Sequence, residues 1–376
     1  MTTGEKKPEQ PAAWSLTLED WRAQIAELGA PGYRATQIWH GLYKQLAASW
    51  DDLSALSLAL RRTLAARLTL DALTVRELQE TADGVRKFLC ACHDGELIES
   101  VLIPSTDRFT LCVSAQAGCA FGCVFCASGA AGLSRSLSAG EIVGQVVVAS
   151  RWLRDRQATP PDASAAQAAL GRPQNIVVMG MGEPLANYDA VLQALRIINA
   201  PGGLNIGARH ITISTCGVVP GIRRLAAEGL QFELSVSLHA PNDAIRDRLM
   251  PVNKRWPMQE LLAACRDYTE ESGRIVTFEY TLVAGVNDQP AHARELADHL
   301  GGWKCRVNLI PLSPVAEFDG VAPGAHVCES FQRYLEAARI HTTLRRSRGG
   351  QVDAACGQLR LCRTQPQTAE TRTTEE

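Results

Sequence analysis

Hydrophobic positions recur at spacings of three and four along the first part of the chain. Leu18, Trp21, Ile25 and Leu28 share one helical face. After the Pro31-Gly32 break, Ile38, Leu42 and Leu46 mark a second helix, and Leu56, Leu60, Leu64 and Leu68 a third. The pattern predicts a small helical domain over 14–73. From Val75 to Ile103 the runs shorten to strand length, with Asp83-Gly84 and Asp94-Gly95 as hairpin turns, so 74–107 is expected to be a β-hairpin linker region. Beyond residue 108, strand-like runs at 109–113, 176–179, 210–214, 232–238, 276–283 and 307–310 alternate with helical patterns at 139–154, 189–199, 219–228, 243–270 and 291–300. A helix over 325–338 and a strand over 342–345 follow. Sixfold strand–helix alternation predicts a parallel sheet with helical crossovers, either doubly wound or an α/β barrel. In either architecture the site lies at the carboxyl ends of the strands.

Composition narrows the class. The chain has 376 residues, 46% hydrophobic and 21% charged, which excludes global disorder. No apolar run reaches the roughly 18 residues of a membrane span. The opening MTTGEKKPEQP has no apolar h-region, so a cytoplasmic protein is expected. Residues 1–13 and 364–376 are polar and expected to be disordered, and the Ala/Pro/Gln-rich 156–174 reads as a surface insertion. Thirty-eight basic residues against 40 acidic ones give a net charge of −2, so any nucleic-acid contact must come from a local patch. Twelve cysteines without an export signal point away from a disulfide framework.

Three of those cysteines, Cys119, Cys123 and Cys126, stand in AGCAFGCVFCASG with C-x3-C-x2-C spacing. Structural zinc uses four ligands, usually with a second distant pair, and none follows at such spacing. Iron–sulfur clusters also normally take four thiolates, so three on a four-iron cluster would leave one iron open. Three buried apolar cysteines are a poor alternative in a stretch also holding Gly118, Gly122 and Gly129. The spacing, with Phe125 before the third cysteine, resembles the radical S-adenosylmethionine (SAM) superfamily. There the open iron binds the methionyl end of SAM, and reductive cleavage gives a 5′-deoxyadenosyl radical.

Four of the later strands end in polar residues. The second ends in VVMGMGEP, with Gly182 for close backbone approach and Glu183 as an acceptor for an ammonium. The third offers Ser214 and Thr215, the fourth (LSVSLHA) Ser237, Leu238 and His239, and the sixth Asn308. Singly, each reads as a cap or a core residue. Together, at successive strand ends, they predict a cofactor site. Near the carboxyl end, SRGGQVDAACGQLR carries Cys356 among Arg345, Arg346, Arg348, Arg360 and Arg363, with Asp353 the lone acidic residue of 342–363. Such a patch suits phosphates and favours a thiolate.

DAACGQL, together with IESVLIP (98–104), TLCVSAQAGCAFGCVFCASG (110–129), GMGEPLANYDAV (180–191), SVSLHAPND (235–243), VNDQ (286–289) and NLIP (308–311), resembles the RlmN/Cfr family of radical SAM RNA adenine methyltransferases over nearly the whole chain. The resemblance implies an α/β fold: an incomplete (β/α)6 barrel over 108–363 behind a small N-terminal RNA-contacting helical domain. It implies a [4Fe-4S] cluster on Cys119, Cys123 and Cys126, and two SAM molecules per turnover. It also implies a route around the poor nucleophilicity of adenine C2. One SAM methylates Cys356; the radical from the second activates that methyl group, which adds to the ring as a protein–RNA adduct. Cys112 would resolve the adduct through a transient disulfide, with Glu99 as base. Read alone, Cys112 is a core residue and Glu99 an exposed strand carboxylate. The remaining cysteines, Cys216 among them, read as structural.

The implied substrates are an adenosine at the peptidyl-transferase centre of 23S rRNA and, in many relatives, the adenosine 3′ of the anticodon in some tRNAs. The implied reductant is flavodoxin-like, and a monomer is expected. In the helical domain Arg34, Trp39, Tyr43, Lys44, Arg61, Arg62 and Arg67 interleave cations with aromatics, although solvated faces explain most of these charges. Three alternatives stay open: C8 methylation as in the Cfr branch, which GMGEP leans against; a metal-stabilised RNA-binding module without catalysis; and a radical SAM enzyme acting on something other than RNA. The 156–174 insertion and VAEFDGVAPGAHVCES after NLIPLSP depart from the usual family form.

Overall fold

Local sequence signals set the helix boundaries. Thr17 and Asp20 form a capping box at the start of α1 (Leu18–Glu27), and Ser57 caps α3 (Leu58–Arg67), with α2 (Tyr33–Tyr43) between them. The structure is a computed structural model and describes residues 10–157, 171–315 and 318–345. Most of the 156–174 insertion, the terminal segments 1–9 and 364–376, and Cys356 with its loop lie outside the described residues. In α3 the predicted leucine stripe is only partly realised: Leu64 is fully buried and Leu60 half-buried, while Leu56 and Leu68 are buried just beyond the helix ends.

The chain then runs through β1 (Leu73–Glu80), β2 (Arg86–Cys92), β3 (Leu97–Pro104) and β4 (Phe109–Cys112), with the reversals at Gly84 and Gly95 in left-handed backbone. A small hairpin, β5 (Gln116–Gly118) and β6 (Leu133–Ser136), encloses the cysteine loop and the one-turn α4 (Ala127–Ala130). Sequence reasoning missed this hairpin. Alternation follows: α5 (Ala139–Gln157), β7 (Asn175–Val178), α6 (Tyr188–Asn199), β8 (Ile211–Thr215), α7 (Val219–Ala227), β9 (Glu233–Ser237), α8 (Asp243–Leu249) and α9 (Met258–Ser272), β10 (Val276–Leu282), α10 (Pro290–Leu300), β11 (Arg306–Pro311), α11 (Ala325–Ala337) and β12 (His341–Leu344).

Ten strands form one sheet in the order β1-β2-β3-β4-β7-β8-β9-β10-β11-β12. From β4 onward every pairing is parallel, so the parallel part has seven strands rather than the expected six, β12 being the seventh. The meander β1–β3 joins the same sheet by antiparallel pairing. The 74–107 segment therefore extends the sheet as well as linking to it. The two faces differ. Leu111, Ile176, Val178, Ile211, Ile213, Leu234, Val236, Phe278, Val307 and Leu309 are buried in one hydrophobic cluster with the crossover helices. The alternate positions carry mostly polar side chains, with Leu89, Val101, Val177 and Ile310 among the exceptions. Among the described residues no helix is long and apolar enough to cross a membrane.

The N-terminal helices are fixed to this sheet through α5. Carbonyls just after α2, which a helix end leaves without partners, are met by two arginines of α5: Arg151 bonds the oxygens of Leu46 and Ala47, and Arg154 those of Lys44 and Gln45. Trp39 is buried against the turn after α6, where a Cβ on Gly203 would lie 3.0 Å from its indole. Tyr43 is likewise buried and packs edge-on to Trp14. Both aromatics are thus core residues of this joint and cannot stack on bases, which corrects the sequence expectation. Arg151 also lies over the Trp14 ring. Replacing Arg151 by Ala strands buried carbonyls and is expected to destabilise the protein by about 1.5–3 kcal/mol, read as a lower midpoint in urea unfolding followed by tryptophan fluorescence.

Candidate active site

The polar face of the sheet is continuous, because residues opposite one another in register share a face. Lys87 pairs with Val101, Val101 with Cys112, Cys112 with Val177, and Val177 with Thr212. Further along the strands Ser214 pairs with Ser235, and Ser237, Glu279 and Asn308 form a row of three. Glu99, two residues from Val101, shares the face. Thus Glu99, Cys112, Ser214, Ser237 and Asn308, named from separate motifs, line one side of one sheet.

Glu99 is buried, contrary to its reading in isolation. Its carboxylate lies 3.1 Å from the Lys87 ammonium, itself buried. Two desolvated charges persist together only as a pair, so Lys87 belongs to the site, although nothing local to it in the sequence marks it. Ser114 donates to the Glu99 carbonyl and accepts the amide of Met181, joining β3 to the GMGEP turn. Cys112 is buried at the end of β4. Cys356 lies outside the described residues.

The GMGEP turn lies against the segment after β4. Gly182 has φ +91°, and a Cβ there would stand 2.3 Å from Gln116 Cβ and 2.8 Å from its backbone nitrogen, so only glycine fits. Gln116 Oε1 accepts the Glu183 amide. Glu183 is buried, with Oε1 accepting from the Leu185 amide at 2.9 Å and Oε2 from the Cys216 amide at 2.7 Å. Burial raises its pKa despite these bonds. The carboxylate thus already bridges two strand ends, and an ammonium would have to share its oxygens.

The cysteine loop leads from β5 into α4, whose N-cap is Cys126. A Cβ at Gly129 would sit 3.2 Å from the Cys123 amide nitrogen, so the loop is folded tightly on itself. Burial pushes Cys119 up to about 11 and Cys123 higher still, and the charge of Cys126 adds to both shifts. Thiols held together at such a cost to their charged form match a site where bound iron offsets the charge. Three thiols on one loop match a four-iron cluster with one iron left open, whereas structural zinc takes four protein ligands.

Two further groups close the site. Arg246 is fully buried and donates to the carbonyls of Cys216, Ser237 and Leu238 and to Asn253 Oδ1. It clamps the ends of β8 and β9, and its charge favours the thiolates of Cys123 and Cys216. Leu238 is fully buried and enters this arrangement through its backbone. His239 is held at φ +55°. Its Nδ1 accepts the Thr281 amide at 2.9 Å, and Asn287 bonds its carbonyl. Its ring packs edge-on against Phe125, with centroids 4.9 Å apart, bringing the end of β9 to the cysteine loop. Burial, with Arg246 as a lesser cause, lowers its pKa to about 3. The ring is neutral, with its proton on Nε2. On the other side of Ser237, Glu279 is buried with its pKa raised by desolvation, and Asn308 Nδ2 donates to its Oε1 at 3.0 Å.

Comparisons with known proteins agree with this geometry. Residues 113–297 match the model of the radical SAM superfamily. A probable dual-specificity RNA methyltransferase RlmN of Geobacillus kaustophilus is 44% identical, over 96% of this chain and 95% of the relative. One from Symbiobacterium thermophilum is 46% identical, over 92% and 90%. The crystal structure of a radical SAM methyltransferase from Sphaerobacter thermophilus superposes with a TM-score of 0.86 at 48% identity, covering 93% of this chain and 98% of that one. The chain is an SAM-dependent radical methyltransferase, and it belongs to the RlmN family of RNA methyltransferases.

Proposed function

We propose that the protein methylates C2 of an adenosine in the peptidyl-transferase centre of 23S rRNA, and the adenosine 3′ of the anticodon in some tRNAs, using Cys356 as methyl carrier. The observation that carries this reading is the shared face: Glu99 and Cys112 line the same side of the sheet as Ser214, Ser237 and Asn308. A base and a resolving thiol are of use only beside the cofactor. The curated relatives, named dual-specificity RNA methyltransferases, support the pair of RNA substrates. The protein is proposed to act as a cytoplasmic monomer with a flavodoxin-type electron donor.

The division of labour follows from the residues. Cys119, Cys123 and Cys126 hold a [4Fe-4S] cluster, which with SAM supplies the one-electron chemistry that a methyl group on Cys356 needs before it can add to an adenine ring. Gly182, Glu183, Ser214, Ser237, Leu238, His239 and Asn308 hold SAM. His239 offers a neutral N–H donor whose orientation is fixed by Thr281. Two SAM molecules are consumed, one as methyl donor and one as radical source. Glu99 removes the ring proton from the adduct, whose unpaired electron would return to the cluster, with Lys87 holding the Glu99 carboxylate in place. Cys112, as thiolate, then attacks the Cys356 sulfur: the S–S bond forms, the S–C bond breaks, and the methylene carbon keeps that electron pair and takes up a proton to leave as the methyl group of the base.

Mass spectrometry of the tryptic peptide containing Cys356, from cluster-replete protein treated with SAM, is expected to show one added methyl group; an unmodified peptide would sink the carrier mechanism. Cys356→Ala is expected to abolish methylation, and mapping the product carbon separates C2 from the C8 chemistry of the Cfr branch. His239 gives a pH signature. Its folded pKa lies below the unfolded value near 6.5, so its neutral burial stabilises the protein fully above about pH 6.5 and that contribution is lost as pH falls towards 3. His239→Asn keeps an acceptor for the Thr281 amide and tolerates left-handed backbone. Across that window it is expected to lose less stability than the parent, by a difference on the order of a few kcal/mol, measured as unfolding free energy at each pH.

A further inference from the structure

Glu279 has no role in the chemistry described so far, yet its environment is costly. It is only 5% exposed, on β10, in the row Ser237–Glu279–Asn308 of the polar face. Asn308 Nδ2 satisfies Oε1 at 3.0 Å, while Oε2 is buried without a hydrogen-bond partner among the described residues. Arg345 acts on the carboxylate through its charge and the nearby Ser235 hydroxyl also favours its charged form, but neither makes a hydrogen bond to Oε2. A buried carboxylate oxygen left unpaired costs about 1–3 kcal/mol or more, and such a group in a site calls for a ligand. The backbone fixes where that ligand lies. The Glu279 carbonyl accepts the amides of Leu238 and His239, and His239 packs on Phe125 beside Cys126.

We propose that Glu279 Oε2, together with Asn308, binds the ribose hydroxyls of SAM. The inference rests on the reading that Ser237 and Asn308 face SAM, and it adds an acceptor to that set. The chemistry narrows the choice within the ligand. A carboxylate repels the methionyl carboxylate and cannot bond the acceptor nitrogens of the adenine ring; the exocyclic N6 amine is a donor, and equal binding of SAM and both deoxy analogues is the outcome it would give. The GMGEP turn read as the ammonium end lies three strands away, on the far side of β8 and β9. Two adjacent hydroxyls match what this row presents: a bare acceptor on Glu279, a side-chain carbonyl on Asn308 whose amide is already used, and the hydroxyl of Ser237. An acidic side chain on a ribose hydroxyl is also how dinucleotide sites commonly read the sugar.

The test is calorimetric titration of the anaerobic, cluster-containing full chain with SAM, 2′-deoxy-SAM and 3′-deoxy-SAM. At least one deoxy analogue is expected to bind the wild type about tenfold to a hundredfold more weakly than SAM, the range for losing a hydrogen bond to a charged group. Glu279→Gln is expected to weaken SAM binding by a similar factor and to lose most of the discrimination against that analogue, with iron content and melting temperature unchanged. Equal binding of all three ligands to the wild type overturns the assignment, and that arm does not depend on the variant folding. So does a Glu279→Gln protein that keeps full affinity and full discrimination. A weakening by Glu279→Gln that vanishes when S-adenosylhomocysteine replaces SAM also overturns it, because the carboxylate would then be reading the sulfonium charge. A wild type that binds no SAM despite a full cluster overturns the cofactor-site reading itself.

Discussion

Strict alternation of side chains in a parallel sheet governs this molecule. A strand that buries one row under helices must present the other row elsewhere, and in-register pairing carries that choice from strand to strand. Here the helix-covered row is almost wholly apolar, while the opposite row holds lysine, glutamate, cysteine, serine and asparagine. A shift of one residue in any strand would bury its polar groups beneath helices. The register that builds the core therefore also assembles the site.

The polar row is kept largely dry, so its charges need partners. Lys87 meets Glu99, and Arg246 is satisfied by carbonyls from two strand ends and by Asn253. Glu183 is capped by two backbone amides. Each arrangement stiffens the strand ends that carry it, and pre-organisation of this kind is what radical chemistry requires, because a reactive carbon centre must meet one partner and no other. Glu279 is the member of the set left incomplete.

Elements and motifs were legible in the sequence to different degrees. The βα rhythm was readable because crossover helices have strong apolar stripes, as in Tyr188–Asn199, and glycines punctuate the turns. The cysteine loop and GMGEP were readable because they are local. What escaped was whatever depends on contacts between distant segments. Lys87 and Arg246 look like ordinary surface charges in a linear reading, and only strand pairing and helix packing bury them. Trp39 and Tyr43 resembled a nucleic-acid surface because aromatic rings beside arginines look alike in sequence whether they face solvent or a neighbouring turn. The β5–β6 hairpin is too short for its period to register. The antiparallel meander looked like a linker because nothing local to residues 73–104 reveals which strand they join.

The helix Ala139–Gln157 has a property that follows from its two ends. Near its start Glu141 shares Arg135 with Asp94, tying the β5–β6 hairpin around the cysteine loop to the β2–β3 turn. About 15–20 Å further along, Arg151 and Arg154 grip the carbonyls after α2. The helix is therefore a strut between the accessory helices and the cage of the cysteines. A torque applied to the N-terminal helices by a bulky partner would reach that cage through one stiff rod, with no flexible joint in between to absorb it.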